Sequence, residues 1–361
     1  MTDGVMHLVE PRGAGCGPCT LGFVAQHAER EQSRIVVLGS RADAQLAVDS
    51  GCHVERSLPI PLGMPRLLGS ALRRAWGDVK ESRVVAWSER AAAAATLLPA
   101  EVRCTANIAS VFGATPWVEP WRRSRVEVAG FGRGMGRLLA ERQWRSGPGL
   151  EVASLGMPAQ REHSQRERIR AEWGAQDDEF VIACVTDPPE ATDLSAIFNA
   201  VNVASICGHR IRLIAHPGCR SAGQVARQAK HLEQNPELPD VPLRFDERLI
   251  APWLVADGVD CLIARPRPSR SHLERASLLT LPWWMSAGVM VVSSGLIGAE
   301  EVIADGEDGV ILDGADRNAL AAQIMRYCDD RAAMSPFQQA AKSRWQLGRH
   351  QDAQLLSQAG S

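Results

Sequence analysis

Four residues near the N-terminus, Cys16-Gly17-Pro18-Cys19, have the types and spacing of a dithiol redox site. That chemistry needs a thiolate of lowered pKa at a helix N-terminus and a second thiol one turn further on. The surroundings suit it in part: a β-branched run, Val5–Val9, precedes the motif, and a helix is expected from Thr20 to about Glu31. The simpler reading is a glycine-rich strand-to-helix turn, with Gly13, Gly15 and Gly17, that holds two incidental cysteines. No second CxxC and no histidine pair stands at zinc-binding spacing, so no metal is expected. A second constellation is made of arginine. Arg265, Arg267 and Arg270 follow an apolar run, Val259–Ala264, that reads as a strand. Guanidinium forks there would suit a phosphate. Between Arg122 and Arg145, Arg123, Arg125, Arg133, Arg137 and Arg142 add further positive charge against only Glu127 and Glu141, with Trp117, Trp121, Phe131 and Trp144 interleaved or adjacent. Basic and aromatic residues together can dock on an anionic membrane surface. A solvated helical face is the plainer explanation of such a run.

These groups sit in a chain of 361 residues, a length that suggests two domains. Apolar residues make up 45% and charged residues 23%, which fits a soluble globular protein and excludes disordered, collagen-like and disulfide-stapled chains. The net charge of −2 gives no general attraction to nucleic acid or acidic lipid. Nine cysteines, an odd number and several inside apolar runs, fit a reducing compartment. The N-terminal residues lack a charged segment followed by a long apolar one, so a cytoplasmic location is expected. Leu278 to Ala299 carries no charge and is long enough to test as a membrane span. Pro282 and several serines and glycines interrupt it, and its second half is β-branched, so a buried helix followed by a buried strand is expected.

Short β-branched runs alternate with helical stretches along the whole chain. Strands are expected at Val5–Val9, Ile35–Gly39, Arg83–Trp87, Arg103–Ile108 and Val126–Ala129, with an alanine-rich helix at Arg90–Leu98. After Glu151–Pro158 and a charged segment the pattern restarts. Strands are expected at Phe180–Val185, Ile211–Ala215, Val259–Ala264, Val289–Ser293 and Val310–Leu312; helices are expected near Asp193–Ile206, Gly223–Gln234, Leu278–Ala287 and Asp316–Asp330. Strand–helix alternation implies parallel sheets covered on both faces. The expected fold class is therefore α/β, with two Rossmann-like, doubly wound parallel-sheet domains facing a cleft. The expected bounds are 1–158 for the first domain, 159–335 for the second and 336–361 for a helical tail.

The segment Trp284–Asp330 resembles the group 1 glycosyltransferases of GT-B fold. Met285, Ser286 and Gly288 match that family's short helix, Val291–Val292 its strand, and Ser293–Gly298 its small-residue loop. Glu301, Val302, Asp305, Gly306, Glu307 and Gly309 then follow in the family's order. Weaker similarities extend the match to most of the chain: Gly13, Gly15 and Gly17, Ser154–Pro158, His216–Gly218 and Asp260. The resemblance implies transfer of a sugar from a nucleotide-diphosphate donor to an acceptor hydroxyl, without metal or other cofactor and with retention. It implies a nucleotide sugar and a glycan or lipid-linked acceptor as partners, and no nucleic acid. As donor-binding residues it suggests Gly13, Gly15, His216, Glu274, Ser294, Gly298 and Glu301, to which the arginines Arg265, Arg267 and Arg270 are added as substitutes for cations that are missing. The catalytic residues are not assigned.

The sequence departs from the family where the donor's charge is handled. The family's phosphate-binding arginine falls on Asp187, its lysine near Ala191, and its acidic pair on Arg275 and Trp283, with Glu274 one place away. A histidine-bearing strand end in the first half is replaced by Trp87 and Ser88. A leaving diphosphate needs charge stabilisation, so two readings follow. The protein is either a transferase with a rebuilt donor site or a catalytically inactive binding protein of the same fold. The redox reading on Cys16 and Cys19 stands third.

Overall fold

The computed structural model describes residues 4–11, 17–59, 65–77, 81–99, 102–108, 126–130, 135, 139, 144–146, 165–235, 241–268 and 276–345. The chain forms two compact units, one of residues 1–152 with 271–279, the other of 153–270 with 280–361.

The first unit is built on strands β1 (Gly4–Val9), β2 (Arg34–Leu38), β3 (Val54–Leu58), β4 (Glu81–Ala86), β5 (Arg103–Ile108), β6 (Val126–Gly130) and β7 (Arg145–Ser146). Their order across the sheet is β3-β2-β1-β4-β5-β6-β7, with every pair parallel. Helices α1 (Pro18–Glu31), α2 (Arg41–Asp49), α3 (Pro65–Gly77) and α4 (Glu89–Ala95) make the crossovers. A parallel sheet covered on both faces demands continuous apolar strands, and Met6, Leu8, Val84, Ala86, Cys104 and Ala106 are correspondingly buried. The alanines of α4 let that helix lie close on the sheet: Ala91 to Ala95 are all buried.

The second unit repeats the plan. Helix α5 (Arg166–Trp173) leads into β8 (Phe180–Cys184), α6 (Leu194–Ile206), β9 (Ile211–Ala215), α7 (Ala222–Glu233), β10 (Leu243–Phe245), β11 (Cys261–Ala264), α8 (Thr280–Ser286), β12 (Met290–Ser294), β13 (Val310–Leu312) and α9 (Arg317–Asp329). The sheet order is β10-β9-β8-β11-β12-β13, again all parallel. Both units are thus Rossmann-like doubly wound sheets, as the alternation of strands and helices implies. The charge-free run from Leu278 resolves into α8, buried along its whole length, and β12, buried likewise. Among the described residues no helix is long and apolar enough to cross a membrane. A helix over 335–345 closes the described chain and packs on the same unit: Arg344 Nη1 donates to Asp308 Oδ2 at 2.6 Å and to the Val302 carbonyl at 2.9 Å.

At the start of β11, away from its carboxyl end, Asp260 ties three elements together. Its carboxylate accepts from the Val181 N–H at 2.8 Å, Arg166 Nη2 at 2.6 Å and Arg170 Nη1 at 3.2 Å. This fastens α5 to the amino ends of β8 and β11, a fold-holding role at the end of the sheet where ligands do not bind.

One backbone crossing near the other end leaves no room for a side chain. Gly295 has φ +72°, and a Cβ placed on Gly314 would lie 2.7 Å from the Gly295 Cα. The obstacle is backbone and cannot rotate away. Gly314→Ala is expected to destabilise the second unit by about 1–3 kcal/mol, read as a lower urea midpoint with an unchanged slope.

Candidate functional site

In the second sheet the chain winds outward in both directions from the pair β8 and β11. The crevice outside the carboxyl ends of those strands is a topological switch point, where doubly wound sheets bind ligands. β8 runs out into Val185-Thr186-Asp187, the Asp187–Pro188 peptide is cis, and a turn at Pro189–Ala191 leads to α6. Asp193 caps that helix, its Oδ1 accepting from the Ala196 N–H at 3.3 Å. The Thr186 N–H donates to Thr192 Oγ1 at 2.9 Å, and Thr186 Oγ1 donates to the Pro188 carbonyl at 3.0 Å. Across the switch point, the Asp193 N–H donates to the Arg265 carbonyl at 2.8 Å and the Arg267 N–H donates to the Ala191 carbonyl at 2.6 Å. The two loops are stitched to each other.

Arg265 extends that stitching with its side chain. Nη1 donates to Ser294 Oγ at 2.6 Å, Nη2 donates to the Gly314 carbonyl at 3.0 Å, and Nε lies 3.5 Å from Asp193 Oδ2. One buried guanidinium therefore holds the cap of α6, the end of β12 and the turn after β13. The planar fork makes this possible; an ammonium would not span it. Arg267, two residues on, is half-buried.

Asp187 occupies the carboxyl end of β8 in a dry place. Only 6% of its surface is exposed, and among the described residues Oδ2 has no hydrogen-bond partner. Burial, with a smaller push from the Glu190 carboxylate, raises its pKa to about 7. His216, after β9, is pinned: Nδ1 accepts from the Gly218 N–H at 2.9 Å. Burial pulls its pKa below the usual histidine value, against the opposing influence of Glu247, Glu190 and Asp246. It shapes the turn as a neutral ring. Among the described residues no three His, Cys, Asp or Glu side chains are grouped to hold a metal ion.

The first sheet has its own switch point, between β1 and β4. Glu10 directly follows β1 and pairs with Arg90 of α4 at 3.0 Å. Burial raises its pKa to about 7 despite that arginine, with Asp43 adding a smaller push in the same direction. Where the glycosyltransferase resemblance leads one to expect a histidine, Trp87 Nε1 donates to His7 Nδ1 at 2.8 Å, and Ser88 caps α4 by accepting from the Ala91 N–H at 3.0 Å. Trp144 Nε1 reaches the buried Glu89 carboxylate at 2.9 Å.

The residues suggested by the sequence are distributed unevenly over this geometry. Arg265 and Ser294 are bonded directly, and Gly298, at φ +87°, starts the turn Ala299–Glu301 that carries the half-buried Glu301. His216 and Arg267 stand on the neighbouring loops. Gly13, Gly15, Glu274 and Arg270 lie outside the described residues, as do Cys16, Arg275 and most of the stretch from Arg122 to Arg145. Cys19 is a buried thiol in the first turn of α1. Trp283, at the position of a family acid, is buried with its ring centroid 4.6 Å from that of Trp253. Sequence reasoning missed Glu10 and the Asp193–Arg265 pair. A charged residue directly after the first strand of a doubly wound sheet is a usable signal for the former, and an aspartate at a helix start reveals a cap but not its distant partner.

Comparison with solved structures places the fold. HepE from Anabaena, in complex with UDP-glucose, superposes with a TM-score of 0.65 at 13% identity, over 98% of this chain and 99% of that one. Sucrose-phosphate synthase from Thermosynechococcus elongatus gives 0.61 at 15% identity, over 99% and 100%. A Listeria monocytogenes protein provisionally named a UDP-N-acetylglucosamine 2-epimerase gives 0.59 at 11%, over 96% and 94%. The fold is GT-B. No protein-family model matches the sequence, and no curated protein matches it significantly.

Two outcomes follow for the second unit. Arg265→Ala leaves a half-buried carboxylate and two acceptors without their cation and is expected to cost about 2–3 kcal/mol, measured by urea unfolding. Asp187 holds its proton in the folded chain up to about pH 7 but releases it near pH 4 when unfolded. Its contribution therefore disfavours folding increasingly as pH rises from 4 to 7, then levels off. Asp187→Asn is expected to match the parent near pH 4 and to exceed it at pH 8 by at least about 1 kcal/mol.

Proposed function

We propose that this chain is a glycosyltransferase of the group 1 type, which takes a sugar from a nucleotide-diphosphate donor and passes it to an acceptor hydroxyl on a glycan or lipid-linked molecule. The observation that carries this reading is likeness over almost the full length of both chains to HepE, whose structure contains UDP-glucose. The ordered motif from Trp284 to Asp330 supports it independently. In this reading the strand ends of the second unit receive the nucleotide. The loop from Ser294 to Gly298, with Gly295 and Gly298 both at positive φ, brings backbone close to a phosphate without a Cβ in the way. Arg267 supplies a cation, and Arg265 keeps the loops in register. Gly13 and Gly15 belong to the acceptor-side loop, and Glu274 and Arg270 flank the donor. The reaction uses no metal, and the chain works in the cytoplasm. Residues 1–158 form the acceptor side, 159–335 the nucleotide side and 336–361 a tail.

The second reading is a GT-B binding protein without transfer activity. The acid at Asp187 favours it, because an ionised carboxylate beside a diphosphate is repulsive.

A thermal-shift screen against UDP-, GDP- and ADP-sugars tests the first reading. Binding of one class at a hundredfold excess over its Kd is expected to stabilise the fold by about 2.7 kcal/mol. Release of the free nucleotide in the presence of a glycan acceptor then separates transfer from binding alone. Absence of any shift at millimolar ligand removes the donor assignment.

A further inference from the structure

The Asp187 carboxyl is oddly placed for a nucleotide-binding site and oddly furnished for a purely structural one. It stands at the carboxyl end of β8, beside the switch point with β11. Buried carboxyl groups nearly always have hydrogen-bond partners, yet its Oδ2 has none among the described residues. The backbone around it is fixed by the Thr186–Thr192 bond and by the two bonds that join this loop to Arg265 and Arg267. The Arg265 fork on the facing loop is engaged elsewhere, bonded to Ser294 and Gly314 and paired with Asp193. That buried oxygen lies at the end of the sheet where doubly wound folds bind ligands.

We propose that Asp187 binds the donor in its neutral form, its carboxyl O–H donating a hydrogen bond to an anionic oxygen of the nucleotide's diphosphate. This rests on the nucleotide-sugar reading above and adds to it the group that stands in for the absent cation. An O–H···O⁻ bond is short and strong. A neutral acid makes it without the repulsion that an aspartate would bring. Burial keeps the proton on the group near neutral pH. The charged and titratable groups on the elements around it are Glu190 on the turn, Asp193 at the cap of α6, Arg265 and Arg267 after β11, His216 and Cys219 after β9, Cys184 on β8, and Asp246 and Glu247 after β10; burial pushes both thiols up, Cys219 to about 11, out of the pH range of the test. Of these, Asp193 is paired with Arg265, Asp246 with Arg248 at 2.6 Å, and His216 Nδ1 accepts from the Gly218 N–H. Glu190 disfavours a second negative charge and so helps Asp187 keep its proton.

The test is calorimetric titration of the full chain with UDP-glucose, GDP-glucose and ADP-glucose from pH 6 to 8.5, a range in which the diphosphate diester keeps a constant charge. For the sugar nucleotide that binds, Kd is expected to rise at least severalfold across that range, following the loss of the protonated fraction. Asp187→Asn keeps an N–H donor and is expected to bind with a flat pH profile. Asp187→Ala is expected to bind at least about tenfold more weakly than Asp187→Asn at pH 6, a difference of about 1.4 kcal/mol, with its circular dichroism spectrum unchanged. Binding by the parent that does not vary with pH overturns the proposal, as does a pH dependence that persists in Asp187→Asn or equal binding by the two variants. Those results leave nucleotide binding intact. If none of the three ligands binds at any pH, the nucleotide-sugar reading falls and the role of Asp187 falls with it.

Discussion

Arg265 is the constraint on which the second unit's ligand-side geometry depends. Strand ends in a doubly wound sheet are separate pieces of chain, and nothing in the sheet ladder fixes the loops beyond them. Here one buried guanidinium reaches the cap of α6, the last residue of β12 and the turn after β13 at once. Its own backbone carbonyl accepts from Asp193. Loops positioned by one rigid, five-donor group move together or not at all. The glycine crossing at Gly295 and Gly314 belongs to the same arrangement, because Arg265 grips the Gly314 carbonyl while Gly295 passes beneath it.

That geometry redistributes charge in a way that composition conceals. The chain has nearly equal numbers of acids and bases, but the strand-end region of the second unit is rich in acids. Two of its arginines are engaged in holding neighbouring acids: Arg265 with Asp193, and Arg248 with Asp246 and Glu172. Asp187 and Glu190 are left to repel each other, which adds to the burial that pushes the Asp187 pKa up to about 7. A site for a diphosphate in such a place depends on backbone N–H groups and neutral donors more than on net charge.

Much of the architecture was legible in the sequence because it rests on local signals. Arg103–Ile108, Ile211–Ala215 and Val310–Leu312 form strands over the bounds expected from their β-branched runs. The charge-free stretch from Leu278 divides into helix and strand where Gly288 takes positive φ. Helices α2 and α3 and strand β3 were not foreseen; the exposed Glu55 and Arg56 break the apolar run that marks a buried strand. The short β10 was missed for a similar reason, with Arg244 and Phe245 both exposed. At the site, a loop was readable over Ser293–Gly298, but Ser293 and Ser294 still belong to β12 and the turn begins only at Gly295. The role of Arg265 was not, because its partners lie 29 and 49 residues away in sequence and opposite it only in space. The raised pKa of Asp187 was equally hidden: a sequence shows an acid, and only its burial shows why the proton is held more tightly.

The tryptophans that fill the two units also give the chain an optical signature. Trp253 and Trp283 in the second unit lie 4.6 Å apart with their planes tilted by 48°. Two indoles that close and inclined share their excitations, and such a pair produces a split circular dichroism band that vanishes when the rings separate. In the first unit the buried Trp87 indole donates to His7 and lies against His27, 5.5 Å between ring centroids; exposing such a ring to water moves its emission to longer wavelength. A two-domain chain need not unfold in one step. Here the split band follows the second unit, while emission sums the ten tryptophans of the whole chain, so comparing the two reads whether the halves unfold together without added label.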